Sequence, residues 1–145
     1  MKRTYASARK TDTSLQVDAH SRGIHHTFDE PAALGGSDTG MNPVELELCS
    51  LGASLQETAA GLAPAHHFTY RQMTITLEGD LDAAGFMGDP EIRNGFQAIR
   101  FNVAFDTDAT PEACQNFMDA VEAACPLMDM LKIGIDVELD QVEIV

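Results

Sequence analysis

The sequence predicts an α+β protein. Two observations carry that reading: separate stretches alternate apolar and polar residues with the period of a strand, and two capped, helix-periodic segments interrupt them. The implied order is strands, helix, strands, helix, short helix, strand, which is the pattern of an α+β domain rather than of repeated βα units. At 145 residues with 44% apolar composition, the chain has the length of one packed domain, and residues 1–145 are read as such.

Each element has a local cause. Thr4 to Phe28 alternates loosely and carries turn signals at Lys10-Thr11-Asp12 and His20-Ser21-Arg22-Gly23, so two or three short antiparallel strands are expected. A breaker-rich loop follows over residues 29–40. Asn42-Pro43-Val44-Glu45 then opens a helix: Asn42 caps, Pro43 takes the first helical position, and Glu45 reaches back to the cap. Leu48, Leu51, Leu55 and Leu62 keep helical spacing among small residues and few charges, which predicts a helix buried on most sides and ended by Pro64.

Thr69 to Glu78 alternates Met73, Ile75 and Leu77 against polar neighbours, as a half-buried strand does. Residues 79–90 are read as a long irregular excursion. Ile99, Phe101, Val103 and Phe105 mark the next strand. Thr110-Pro111-Glu112 caps a second helix with Cys114, Phe117, Val121 and Ala124 on one face. Pro126 starts a short helix over Pro126–Leu131, and Ile133, Ile135, Val137 and Leu139 alternate as a final strand.

The net charge of −14 argues against nucleic acid, whose phosphates are bound by clustered Lys and Arg. Acidity of this size keeps a protein soluble by self-repulsion, and the scarcity of lysine also fits a salt-rich habitat. No apolar run approaches a membrane span. The basic start, Met1-Lys2-Arg3, lacks the apolar stretch of a signal peptide, so a cytoplasmic location is expected. Three cysteines without an export signal are expected to be reduced thiols. The adjacent pairs His25-His26 and His66-His67 point in different directions on a strand or loop, so no metal site and no cofactor is expected.

Three stretches resemble the osmotically inducible protein C (OsmC) family, which includes the organic hydroperoxide resistance proteins. They are Phe28-Asp29-Glu30-Pro31 with Gly35-Gly36, Gly40 and Asn42-Pro43-Val44-Glu45-Leu46; Leu48-Cys49-Ser50-Leu51-Gly52-Ala53-Ser54-Leu55; and Val121-Glu122-Ala123-Ala124-Cys125-Pro126-Leu127. Gly79-Asp80-Leu81-Asp82 with Gly85-Phe86 and Gly95-Phe96 is similar to one branch. The resemblance implies an intertwined homodimer, two central helices packed against antiparallel sheet, and sites at the subunit interface. It also implies thiol chemistry, in which a cysteine on the first central helix is oxidised by an organic hydroperoxide and a second cysteine, before a proline, closes a disulfide.

In this sequence the second cysteine is Cys125, but the position of the first is occupied by Ser54. A serine hydroxyl cannot pass through sulfenic acid to a disulfide, so the two-cysteine cycle is absent. Cys49 lies five positions earlier, about 140° around the helix from Ser54, and is read as a buried structural thiol. Cys114 is about 16 Å along a helix from Cys125, beyond disulfide reach, and is read as core. Cys125 itself would cap the helix begun by Pro126, a place that favours a thiolate; it is either a reactive single thiol or an inert remnant.

The organic hydroperoxide branch carries a glutamate where this chain has Val44, whereas other branches match Glu45, which is either a site carboxylate or only a cap. Arg22 is the nearest candidate for the family's site arginine. Glu47 lies about 20° off the Ser54 face and can direct a carboxylate to the pocket. The readings left open are a redox-degenerate protein that binds a small apolar ligand or reacts through Cys125 alone, an active hydroperoxide reductase with a rearranged mechanism, and an oligomeric stress protein without a ligand.

Overall fold

The computed structural model describes residues 1–145. The chain divides into two compact units, Met1–Cys49 and Ser50–Val145.

The first unit contains a three-stranded antiparallel sheet of β1 (Ser7–Lys10), β2 (Val17–Ser21) and β3 (Ile24–Phe28), in that order. Three strands therefore form where two or three were expected. Ser21 pairs with Ile24 across the two-residue turn Arg22-Gly23, both with positive φ, 56° and 77°. That geometry matches the twist of a hairpin, and glycine in its second place relieves the strain.

The loop after β3 is organised by one buried carboxylate. Asp29 is 2% exposed and accepts hydrogen bonds from the N–H groups of Glu30, Ser37 and Thr39 and from the Thr39 hydroxyl, the last at 2.6 Å. The Thr39 hydroxyl, with the three N–H groups, lowers the Asp29 pKa from 3.8 to about 2, against the opposing effect of burial. Because the folded value lies below the unfolded one, Asp29 stabilises the loop above about pH 4, and this is lost as pH falls towards about 2. Thermal melts of wild type and Asp29→Asn should differ most at neutral pH and converge near pH 2. A gap that is independent of pH would show that the carboxylate charge is not what these donors hold.

Helix α1 (Pro43–Leu62) opens on the reciprocal cap its sequence implies: Glu45 N–H donates to Asn42 Oδ1 at 2.8 Å, and Asn42 N–H donates to Glu45 Oε1 at 3.1 Å. Its residues from Ser50 onward belong to the second unit. There the hairpin of β4 (Gln72–Leu81) and β5 (Phe96–Asp106) faces the helices α3 (Pro111–Ala124) and α4 (Pro126–Ile133), with one helical turn, α2 (Ala83–Phe86), between the strands. The Thr110 hydroxyl caps α3 by accepting from Ala113 N–H at 3.1 Å.

The core joins Leu51, Leu55 and Ala59 of α1 to Met73 of β4, Phe117, Met118 and Val121 of α3, Cys125, and Met128 of α4. Phe68 stacks on Phe117 at 4.3 Å, and Phe105 meets Phe68 edge-on at 5.2 Å. Gly52 lets α1 approach β4, since a Cβ there would lie 3.0 Å from Leu77 Cδ1. Gln56 fixes the same approach by donating to the Met73 carbonyl at 2.7 Å.

Four expectations are corrected. Helix α1 buries only Leu51, Gly52, Leu55 and Ala59, a stripe rather than most of its surface, because one layer of strand and helix covers one face. The excursion at 79–90 begins later: Gly79, Asp80 and Leu81 stay paired to Ile99, Ala98 and Phe96, with a bulge at the end. Arg100 holds Asp80 there through two bonds of 2.7 and 2.9 Å and keeps its carboxyl below the usual range. On α3 the buried place after Val121 is taken by Cys125, while Ala124 is exposed. The final strand does not form: α4 runs to Ile133, Gly134 at φ 82° ends it, and residues 134–145 have no ladder partner within the chain.

Candidate functional site

Cys125 occupies the single residue between two helices. Pro126 has no N–H to continue α3 and biases the residue before it towards extended backbone, and Cys125 accordingly has φ −70° and ψ 121°. The same proline is pre-shaped for the first position of α4, so one residue ends α3 and caps α4. The thiol is 1% exposed.

Ser54, half-buried on α1 beside Leu55, reaches this thiol. Its Oγ lies 3.1 Å from Cys125 Sγ, across 71 positions of sequence, and either atom can donate. A hydroxyl that donates to sulfur stabilises the thiolate, and a thiol that donates to the hydroxyl stabilises the reduced resting form. All three cysteines are free. Ser54 therefore offers Cys125 no sulfur with which to close a disulfide.

The other sequence candidates fall elsewhere. Glu45 is engaged in the helix cap, and Arg22 is exposed in the β2–β3 turn. Glu47 is exposed on α1. All three belong to the first unit. Cys49, expected to be buried, is exposed, with its Sγ 3.7 Å from Met41 Sδ. The apolar neighbours in sequence that suggested burial lie on other faces of the helix. Cys114 is half-buried against the core, near its expected setting.

Sequence reading missed one cluster. His20 and His25 stack across β2 and β3 with ring centroids 4.7 Å apart, and Asp18 contacts His25 Nδ1 at 2.9 Å. The two-residue turn at Arg22-Gly23 was the available signal, because it places residue 20 opposite residue 25. No three metal-ligating side chains gather anywhere in the structure.

The chain is thus an α+β protein with a buried cysteine at a proline-split helix junction. It belongs to the OsmC-like protein family, whose profile matches residues 35–140. The fold is shared with the OsmC-like protein of Mycoplasma pneumoniae at 20% identity and TM-score 0.79, covering 91% of this chain and 89% of that one. An organic hydroperoxide resistance protein OsmC from Legionella pneumophila aligns at 17% identity and TM-score 0.70, over 95% of both chains. A third, an organic hydroperoxide resistance protein from Vibrio cholerae with captopril bound in one of its active sites, aligns at 17% identity and TM-score 0.66, covering 94% and 88%. No curated protein matches the sequence significantly. No helix is long and apolar enough to cross a membrane.

Proposed function

We propose that this chain is an OsmC-family stress-response protein with a degenerate thiol peroxidase site, which binds a small, mainly apolar molecule or reacts with organic hydroperoxide through Cys125 alone. The observation that carries this reading is the 3.1 Å contact of Ser54 Oγ with Cys125 Sγ. It puts a hydroxyl where a disulfide-forming pair needs a second sulfur.

The chemistry open to the site is one half of a peroxidase cycle. The Cys125 thiolate attacks one peroxide oxygen, the O–O bond breaks as an S–O bond forms, and the alkoxide leaves as alcohol after taking a proton. Cys125 is left as sulfenic acid. Return to thiol then requires two equivalents of an external thiol, which leave as a disulfide with release of water.

A homodimer belongs to the same reading. Ile133, Ile135, Val137 and Leu139 are 65–87% exposed and alternate with Gly134 and the acidic Asp136 and Glu138. That is the pattern of a strand awaiting a partner, and a second copy supplies one. Three free thiols suit a reducing cytoplasm.

The test follows hydroperoxide consumption and intact mass together, first without and then with a thiol reductant, for wild type and Cys125→Ser. Without reductant, wild type should take one oxygen on Cys125 and consume about one equivalent, the variant should take none, and added reductant should return the oxidised thiol only slowly. Sedimentation of the same sample should give a dimer. Sustained turnover that depends on Cys125 would instead establish an active thiol-dependent organic hydroperoxide reductase with a rearranged mechanism.

A further inference from the structure

The second unit contains four basic side chains, Arg71, Arg93, Arg100 and Lys132. Two are committed to ion pairs on the strands: Arg71 with Asp106 and Asp108, and Arg100 with Glu78 and Asp80. The other two, Arg93 and Lys132, have no ion-pair partner, and both line one cavity of about 550 Å³. In a chain with 23 acidic residues against 9 basic ones, the second unit's two unpaired cations both lie on this one cavity.

The rest of the wall is mostly apolar, with Leu51, Phe96, Ile99, Phe101, Met128 and Leu131 among its members. Glu122 is the one carboxylate on it. Two cations against one carboxylate leave a single net positive charge, which favours one negative charge on a ligand. The volume falls in the range of small-molecule sites, and an apolar wall with a few charged groups is their usual composition.

We infer that this cavity binds an amphipathic monoanion, an apolar chain or ring carrying one carboxylate, with Arg93 and Lys132 reading the carboxylate and the aromatic and aliphatic wall holding the body. The inference deepens the ligand-binding part of the proposed function and rests on it only there, because it requires no oxidation of Cys125. The wall begins one helical turn from the thiol site: Leu51 precedes Ser54 by three positions, and Glu122 and Met128 flank Cys125 by three. Arginine forms paired bonds to a carboxylate in a way that lysine does not, so Arg93 should carry more of the recognition.

The experiment is calorimetric titration of the full chain with decanoate and with decanol, its neutral counterpart of matching length. Decanoate should bind about tenfold or more tightly, a preference worth about 1.4 kcal/mol, and it should weaken with added salt. Arg93→Gln with Lys132→Gln should erase the preference while leaving decanol binding unchanged. Each single variant, checked for an unaltered melt, guards against misfolding of the double one. Equal affinity for the two ligands, binding of neither, or a preference that survives both substitutions overturns the inference. Two titrations separate the proposals: decanoate binding retained in Cys125→Ser shows the cavity independent of the thiol chemistry, and absent binding in a wild type that does oxidise at Cys125 overturns the cavity assignment alone.

Discussion

Ser54→Cys is expected to convert a one-thiol site into a disulfide-forming pair. Ser54 Oγ already lies 3.1 Å from Cys125 Sγ, and a disulfide needs its sulfurs about 2.0 Å apart, a closure of roughly 1 Å. Ser54 sits on α1 and Cys125 is fixed between α3 and α4, so the approach is set by packing rather than by a mobile loop. In the variant, the sulfenic acid formed on either sulfur meets the other thiolate, water leaves, and the S–S bond forms. Treatment with an organic hydroperoxide should give the disulfide in place of a persistent sulfenic acid. Turnover with a dithiol reductant should rise by about tenfold or more, since exchange at a disulfide replaces slow rescue of a buried sulfenic acid. The bond would close a loop across 71 positions, for which chain entropy gives a stabilisation of about 4 kcal/mol. Peptide mapping of the oxidised protein and denaturant melts of both redox forms check the two claims. Two free thiols after oxidation, with turnover no higher than wild type, would mean that position 54 does not present its side chain as a resolving partner.

What was legible in the sequence was local. Asn42, Pro43 and Glu45 specify a helix start by their own hydrogen-bonding chemistry, and the structure contains that cap atom for atom. Cys125 before Pro126 likewise fixes a helix junction, because proline acts on the residue before it wherever the chain goes. The pairing of Ser54 with Cys125 was not local. Nothing in the spacing of either helix announces a contact across 71 positions, and only the family resemblance directed attention to it.

The misread elements share a cause. Gly79 and Asp80 look like breakers in composition, yet Arg100 on the neighbouring strand anchors Asp80 and keeps the ladder going. Residues 133–139 look like a strand by alternation, yet alternation states only which faces would be buried, and a strand exists only when another strand accepts its hydrogen bonds. The apolar sequence neighbours of Cys49 do not bury it, because neighbours in sequence point around a helix at about 100° per residue and say little about its own face. His20 and His25 leave no pattern along the chain, because their pair is formed across a turn.

Leu55→Ala tests whether the core and the thiol site are one structure. Leu55 is 0% exposed, follows Ser54 directly, and lies in the cluster that includes Leu51, Val121 and Cys125. Removal of a buried leucine to alanine costs about 2–5 kcal/mol, the upper part of the range applying where neighbours cannot collapse into the space. Rigid helices on both sides make collapse difficult here, so the midpoint of denaturant unfolding should fall while its slope stays the same. The site should report the same change. Cys125 is 1% exposed, so a thiol reagent reaches it only when the surrounding structure opens. A loss of 2 kcal/mol raises that opening by a factor of about 30. Leu48→Ala, at a half-buried position on the same helix, should move both readouts much less. If Leu55→Ala lowers stability but leaves Cys125 labelling at the wild-type rate, the thiol is reached through an opening that does not involve the α1 core. The 3.1 Å contact with Ser54 would then be held by α3 and α4 rather than by the face that Leu55 anchors.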